Sequence, residues 1–226
     1  MGYFVIVGIF SLIGMVVSNR LKSKFARYSN VPLANGRSGA EVAQTMLNHY
    51  GIHDVKIAQG QGMLTDHYNP ATKTVSLSPE VYHGRHVAAA AVAAHECGHA
   101  VQHNTAYAWL KFRSAMVPAV SFASKAQQYL LLFALGMFGV GGSDFLLYLT
   151  IAAFGITTLF SLVTLPVEFD ASNRALAWLD ESHFARGREY DGAKDALWWA
   201  ATTYVVAALS SLVVLLYLIM SMASRD

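Results

Sequence analysis

Cysteine occurs only once, at Cys97, in a chain of 226 residues. An internal disulfide is therefore excluded, as is any C-x-x-C metal site, so a bound metal would have to be held by histidine and carboxylate. Charge is scarce as well: Asp, Glu, Lys and Arg make up 13% of the chain, against roughly 25% in ordinary soluble domains. Neither sign dominates, since sixteen basic and fourteen acidic residues leave a net charge of +2. That is no concentrated positive field for a phosphate backbone, and nucleic acid is not expected as a partner. Internal repeats, low-complexity tracts and long linkers are missing too. What is abundant is apolar surface: 54% of residues are hydrophobic and the mean hydropathy is +0.37. A disordered chain is excluded, and one domain with membrane anchors is favoured.

Four apolar runs carry that excess: Met1 to Val17, Gln127 to Gly142, Phe145 to Leu165 and Trp198 to Met222. As a helix the first spans roughly 25 Å at about 1.5 Å per residue, near the hydrocarbon thickness of a bilayer. Its charges follow rather than precede it, as Arg20, Lys22, Lys24 and Arg27, which predicts an uncleaved anchor rather than a signal peptide. Only Ser143 and Asp144 separate the second and third runs, so these two read as a helical hairpin. Of the sixteen Lys and Arg, eleven lie between the first and second runs and four between the third and fourth. The positive-inside rule then predicts four spans with both termini outside and the intervening polar segments in the cytoplasm. The expected organisation is an N-terminal transmembrane anchor (1–17), a cytoplasmic polar segment (18–126), a transmembrane hairpin (127–165), a cytoplasmic helical segment (166–197) and a C-terminal transmembrane helix (198–226).

The first polar segment has its own local signals. Ser38 with Glu41 is a capping-box pattern opening a helix from Gly39 to Tyr50, and Gly51 stands as its stop. Val55 to Ile57 suggests a short strand. Met63 to Tyr68 and Lys73 to Leu77 alternate about a turn at Asn69 to Thr72, which predicts a hairpin. Ser78 and Pro79 mark the next helix start, and Val87 to Asn104 is an alanine-rich helix.

On that helix stands His95-Glu96-Cys97-Gly98-His99. Histidines four apart share one helix face, so both imidazoles can reach a single ion at about 2.0–2.1 Å. Glu96 projects beside that face, where it can take a proton from metal-bound water. At this composition an H-E-x-x-H match is expected by chance about 0.01 times per chain, which makes the pattern specific. Cys97 points about 100° from each neighbour and reads as a small packing residue. A catalytic zinc wants three protein ligands, and the third must come from elsewhere on the same side of the membrane. Glu168 and Asp170, just past the third run, compete for that place. His103, one turn beyond His99, would require a bent helix. An electrophilic helper is also expected, with His183, Tyr190 and Arg174 as options.

The chain resembles the YugP-like neutral zinc metallopeptidases of bacterial membranes. The resemblance rests on Gly39-Ala40-Glu41-Val42-Ala43, the stretch Gly62 to Pro70, Leu77-Ser78, the block Ala94 to Ala100, Thr164 to Ser172 and Thr203-Tyr204-Val205, and covers nearly the whole chain. More distantly it is similar to the HtpX and CAAX-processing metalloproteases, whose E-x-x-A-D pattern aligns with Glu168 to Ser172, with Ser172 where Asp would stand. The resemblance implies one zinc ion held by His95, His99 and Glu168, with Glu96 as general base. It also implies an edge strand in residues 63–77, on which Asp66, His67 and Tyr68 would either touch substrate or stabilise the turn. The expected fold is mainly α: an integral membrane protein with about four transmembrane helices and a small α+β zincin-like catalytic domain, its H-E-x-x-H helix beside a short β-hairpin. The expected function is a membrane-bound zinc metallopeptidase acting on peptide or membrane-protein substrates at the cytoplasmic face of the bacterial cytoplasmic membrane, in contact with the lipid bilayer. The competing reading is a non-catalytic membrane scaffold or metal-binding protein.

Overall fold

A computed structural model describes residues 2–62, 65–134 and 144–223. Its elements in chain order are α1 (Gly2–Ser29), α2 (Gly39–His49), β1 (Lys56–Gln59), β2 (His67–Asn69), β3 (Thr74–Leu77), α3 (Pro79–His83), α4 (Val87–Asn104), α5 (Ala108–Ala134), α6 (Asp144–Glu181) and α7 (Arg188–Ala223). They divide into two compact units, one built from Val17–Leu110 and Pro166–Thr202, the other from Met1–Val16, Lys111–Leu165 and Thr203–Asp226.

Three of the described helices, α1, α6 and α7, are long and apolar enough to cross a membrane. Each runs beyond the apolar stretch read from the sequence: α1 continues through Arg20, Lys22, Lys24 and Arg27, and α6 continues past Leu165 to Glu181. Helical backbone bonding is indifferent to whether the side chains are lipid-like or charged, so hydropathy marks a span and not the end of a helix. The expected span Gln127 to Gly142 begins inside α5, and its last eight residues lie outside the described part of the chain. In the unit holding these runs, Leu147, Phe154, Val214 and Leu218 form the buried cluster, and Thr157 on α6 donates its hydroxyl to Gln127 Oε1 of α5 at 3.2 Å.

The other unit is built around α4. Its run of alanines is buried almost throughout, because small side chains let neighbours approach the helix on every side. Val42, Ala43, Met46 and Leu47 of α2, Val75 and Leu77 of β3, Val81 of α3, and Ala175, Trp178 and Leu179 of α6 join it in one apolar core. Gly98 marks the closest approach. A Cβ there would stand 2.5 Å from the carbonyl oxygen of Ala171, so only glycine permits α6 to lie this near to α4.

The hairpin forms as expected, with β2 antiparallel to β3 in the register Tyr68 to Val75; Met63 and Leu64, its expected start, lie outside the described residues. The strand expected at Val55 to Ile57 lies slightly later, at Lys56–Gln59, and pairs parallel with β3. The sheet order is β1-β3-β2, which leaves β2 at an edge among the described residues. Ser38 caps α2 with both halves of the capping box: its hydroxyl accepts from the Glu41 N–H at 3.3 Å, and its own N–H donates to Glu41 Oε2 at 2.7 Å. Ser38→Ala is expected to cost about 1 kcal/mol, read as a lower melting midpoint of the purified protein. Gly51 follows with φ +67°, the left-handed stop that glycine tolerates.

Candidate metal centre

Two helices of the α4 unit bring three side chains together. His95 and His99 sit one turn apart on α4, their ring centroids 4.8 Å apart. Glu168 on α6 turns its Oε2 toward both, 3.4 Å from His95 Nε2 and 3.7 Å from His99 Nε2. Their ligand atoms all lie within 4.8 Å of one another. Ligands held at about 2.0–2.1 Å around a tetrahedral ion stand about 3.4 Å apart, so the donor types and the spacing both fit zinc. Among the described residues this is the group of histidine, cysteine or carboxylate side chains that could hold a metal ion.

The surroundings are dry. Glu168 is 2% exposed and His99 8%. Burial by itself raises the pKa of the Glu168 carboxyl, but the two imidazoles facing it outweigh that and hold it well below the usual carboxylate range. Burial likewise pushes His99 down, and the carboxylates of Glu168 and Glu96 around it reverse the sign, leaving it above its ordinary value. A buried carboxylate facing two imidazoles is an anionic hole that suits a divalent cation better than it suits protons alone.

Each imidazole has a partner on its far nitrogen. Ser172 Oγ lies 3.1 Å from His95 Nδ1, and Gln102 Oε1 lies 3.0 Å from His99 Nδ1. Ser172 thus stands behind one histidine. The sequence reading anticipates neither partner; its one signal is Gln102 at three residues past His99, a spacing that shares a helix face. Glu96, adjacent to His95 on α4, is buried. Asp170 does not join the three-residue group; it accepts from Gln102 Nε2 at 2.8 Å and from Arg174 Nε at 2.6 Å. That bond also engages Arg174, one of the groups considered as an electrophilic helper.

Asp66, His67 and Tyr68 lie at the start of and along β2. Asp66 accepts two bonds from Ser78, at 2.7 Å from its N–H and 3.1 Å from its hydroxyl, and so ties the hairpin to the start of α3. His67 is exposed and its Nδ1 donates to the Thr65 carbonyl at 2.8 Å. Tyr68 places its hydroxyl 2.8 Å from His103 Nδ1, which engages His103 away from the other two histidines. Burial, reinforced by the charge of Asp54, pushes the Tyr68 phenol up to about 12. Cys97 is buried against α2, its thiol donating to the Ala43 carbonyl at 3.6 Å, and burial raises its pKa; it is an inert packing group.

The His–His–Glu set is one that could hold a metal ion, in the manner of the zinc-binding proteins, and comparison with known proteins gives the family. The model of the family described as "Putative neutral zinc metallopeptidase" matches residues 3–223, and the chain belongs to that family. It is 44% identical over 201 residues to the Bacillus subtilis (strain 168) protein named "Putative membrane protease YugP", covering 89% of this chain and 88% of that relative. No solved structure matches.

Proposed function

We propose that this protein is a membrane-bound zinc metallopeptidase that hydrolyses peptide bonds of peptide or membrane-protein substrates at the cytoplasmic surface of the membrane. The observation that carries the reading is the convergence of His95 and His99 of α4 and Glu168 of α6 on one point, with Glu96 next to His95 on α4. The family description and the name of the relative support it. His95 and His99 present their Nε2 lone pairs and Glu168 its carboxylate as ligands to one ion. Bound there, zinc supplies Lewis acidity toward water and a peptide carbonyl. Glu96 accepts the proton of the attacking water and returns it to the departing amine. The burial of Glu96, His99 and Glu168 strengthens each of these charges, while His95 is partly exposed.

Substrate alignment follows from the sheet. An extended peptide can add by main-chain hydrogen bonds to the edge of β2 that no other described strand pairs with, with His67 and Tyr68 on that strand and Asp66 at its entry as the nearest side chains. The apolar stretches of α1, α6 and α7 anchor the chain in the bilayer together with a fourth span beginning at Gln127, and the distribution of Lys and Arg supports a cytoplasmic catalytic segment.

Zinc content and casein cleavage of the wild type and of Glu96→Gln test the proposal. The wild type is expected to cleave, and Glu96→Gln to keep its zinc while losing activity about 10²–10⁴-fold, the usual worth of a positioned general base. A zinc-loaded wild type without turnover would make the protein a metal-binding scaffold instead.

A further inference from the structure

Gln102 is fully buried and spends its entire amide on the joint between α4 and α6. Its Nε2 donates to the carbonyl of Val167 at 2.7 Å and to Asp170 Oδ2 at 2.8 Å. Both amide protons are thereby directed at oxygen acceptors, which fixes the orientation of the group and leaves Oε1 to face His99 Nδ1 at 3.0 Å. An amide oxygen can only accept, so the ring donates from Nδ1, and in the neutral ring that binds a metal Nε2 is then the nitrogen that carries the lone pair, on the side of Glu168. The same side chain also holds the carbonyl of Val167, the residue immediately before Glu168. One group therefore sets the tautomer of one candidate ligand and clamps the backbone that delivers another. Asp170 is held in turn by Arg174 Nε at 2.6 Å.

We propose that Gln102 and Asp170 are paired positioning residues of the metal centre, and that glutamine is required at 102 because of Asp170. The proposal rests on reading His95, His99 and Glu168 as a zinc site. Metal-bound histidines commonly donate to a carboxylate, which raises their basicity, so glutamate at 102 would by itself be the better acceptor for His99. Here it would turn a second oxygen toward the Val167 carbonyl and the Asp170 carboxylate, with no proton on either side and two like charges in contact. Asp170 thus selects an amide over an acid, and through that amide it controls a histidine it never touches.

The experiment measures zinc affinity of the full chain in detergent by competition with a chromophoric chelator, for Gln102→Glu, Asp170→Asn and the double variant. Gln102→Glu is expected to weaken zinc about 10–100-fold and Asp170→Asn about 10-fold. The double variant should bind more tightly than Gln102→Glu alone, because the amide introduced at position 170 donates to the carboxylate oxygen introduced at position 102, which otherwise meets no proton. A role confined to packing would not produce such rescue: two losses that simply add, or a Gln102→Glu protein with wild-type affinity, would overturn the proposal. Should Gln102→Glu fail to fold, Asp170→Asn in a Gln102→Met background is expected to add no further loss of zinc affinity, because the amide that links the two positions is gone; losses that simply add in that pair would also overturn the proposal. Glu168→Ala run in parallel separates the two levels. If it retains zinc, the underlying site reading fails; if it loses zinc while the coupling is absent, only the positioning role fails.

Discussion

Glu168→Ala is expected to lower zinc affinity by more than about 100-fold, beyond the loss typical of an outer hydrogen-bonding partner. Its Oε2 is the one carboxylate atom that stands between both imidazole Nε2 atoms, at 3.4 and 3.7 Å, and no other described acidic side chain joins the group. Asp170, two residues on, is directed at Gln102 and Arg174 instead, so it is not positioned to take over. The replacement also removes one of the two carboxylates, beside that of Glu96, that hold His99 above its ordinary pKa. In the metal-free wild type the pair of charged His99 and ionised Glu168 therefore stabilises the fold between the ordinary carboxylate and imidazole pKa values, about 4.3 and 6.5. The Glu168 share fades as pH falls below that window, and the His99 share fades as pH rises through its elevated folded value. Metal-free Glu168→Ala should lose this rise in melting midpoint near pH 5–6. Equilibrium dialysis against zinc, followed by melts across that pH range, reads both effects. Retention of zinc at wild-type affinity would remove Glu168 from the ligand set.

How much of this can be read from the chain depends on the distance over which each feature is encoded. The pairing of His95 with His99 is a property of one helix, so four-residue spacing suffices, and the limits of α4 are legible for the same reason. The capping box at Ser38 and Glu41 is equally local. The parallel pairing of β1 with β3 is not legible, because a four-residue strand declares neither its partner nor its direction. Glu168 can be narrowed only to a choice with Asp170 until the family resemblance favours the former. The roles of Gln102, Ser172 and Asp170 depend on how α4 crosses α6, a relation set by Gly98 and Ala171 and by no periodicity within either helix. Serine at 172 shows the limit well: in the sequence it is only a departure from the E-x-x-A-D pattern, yet in the fold its hydroxyl stands at hydrogen-bond distance from His95 Nδ1.

Gly98→Ala, and Gly98→Val more severely, should damage the site without altering any group that touches it. On helix propensity alone the alanine change is favourable by about 1 kcal/mol, so a Gly98 acting only as a flexible helix residue would give a more stable protein. The structure gives the opposite sign. A Cβ at 98 would stand 2.5 Å from the Ala171 carbonyl oxygen and 3.1 Å from its carbonyl carbon and Cα, and these are backbone atoms of a helix that cannot turn aside like the end of a long side chain. Relief requires α6 to move outward from α4, at a typical overpacking cost of about 1–3 kcal/mol. Glu168, one turn before Ala171 on α6, moves with it, and the contacts with His95 and His99 lengthen together. Gly98→Ala is therefore expected to lower the melting midpoint and weaken zinc in the same step, and Gly98→Val to extend both losses because two further methyl groups meet the same backbone. Thermal melts with and without zinc measure this directly. An alanine variant that melts higher and binds zinc normally would show that the helices do not need this contact, and that the three candidate ligands are brought together by something other than the close crossing of α4 and α6.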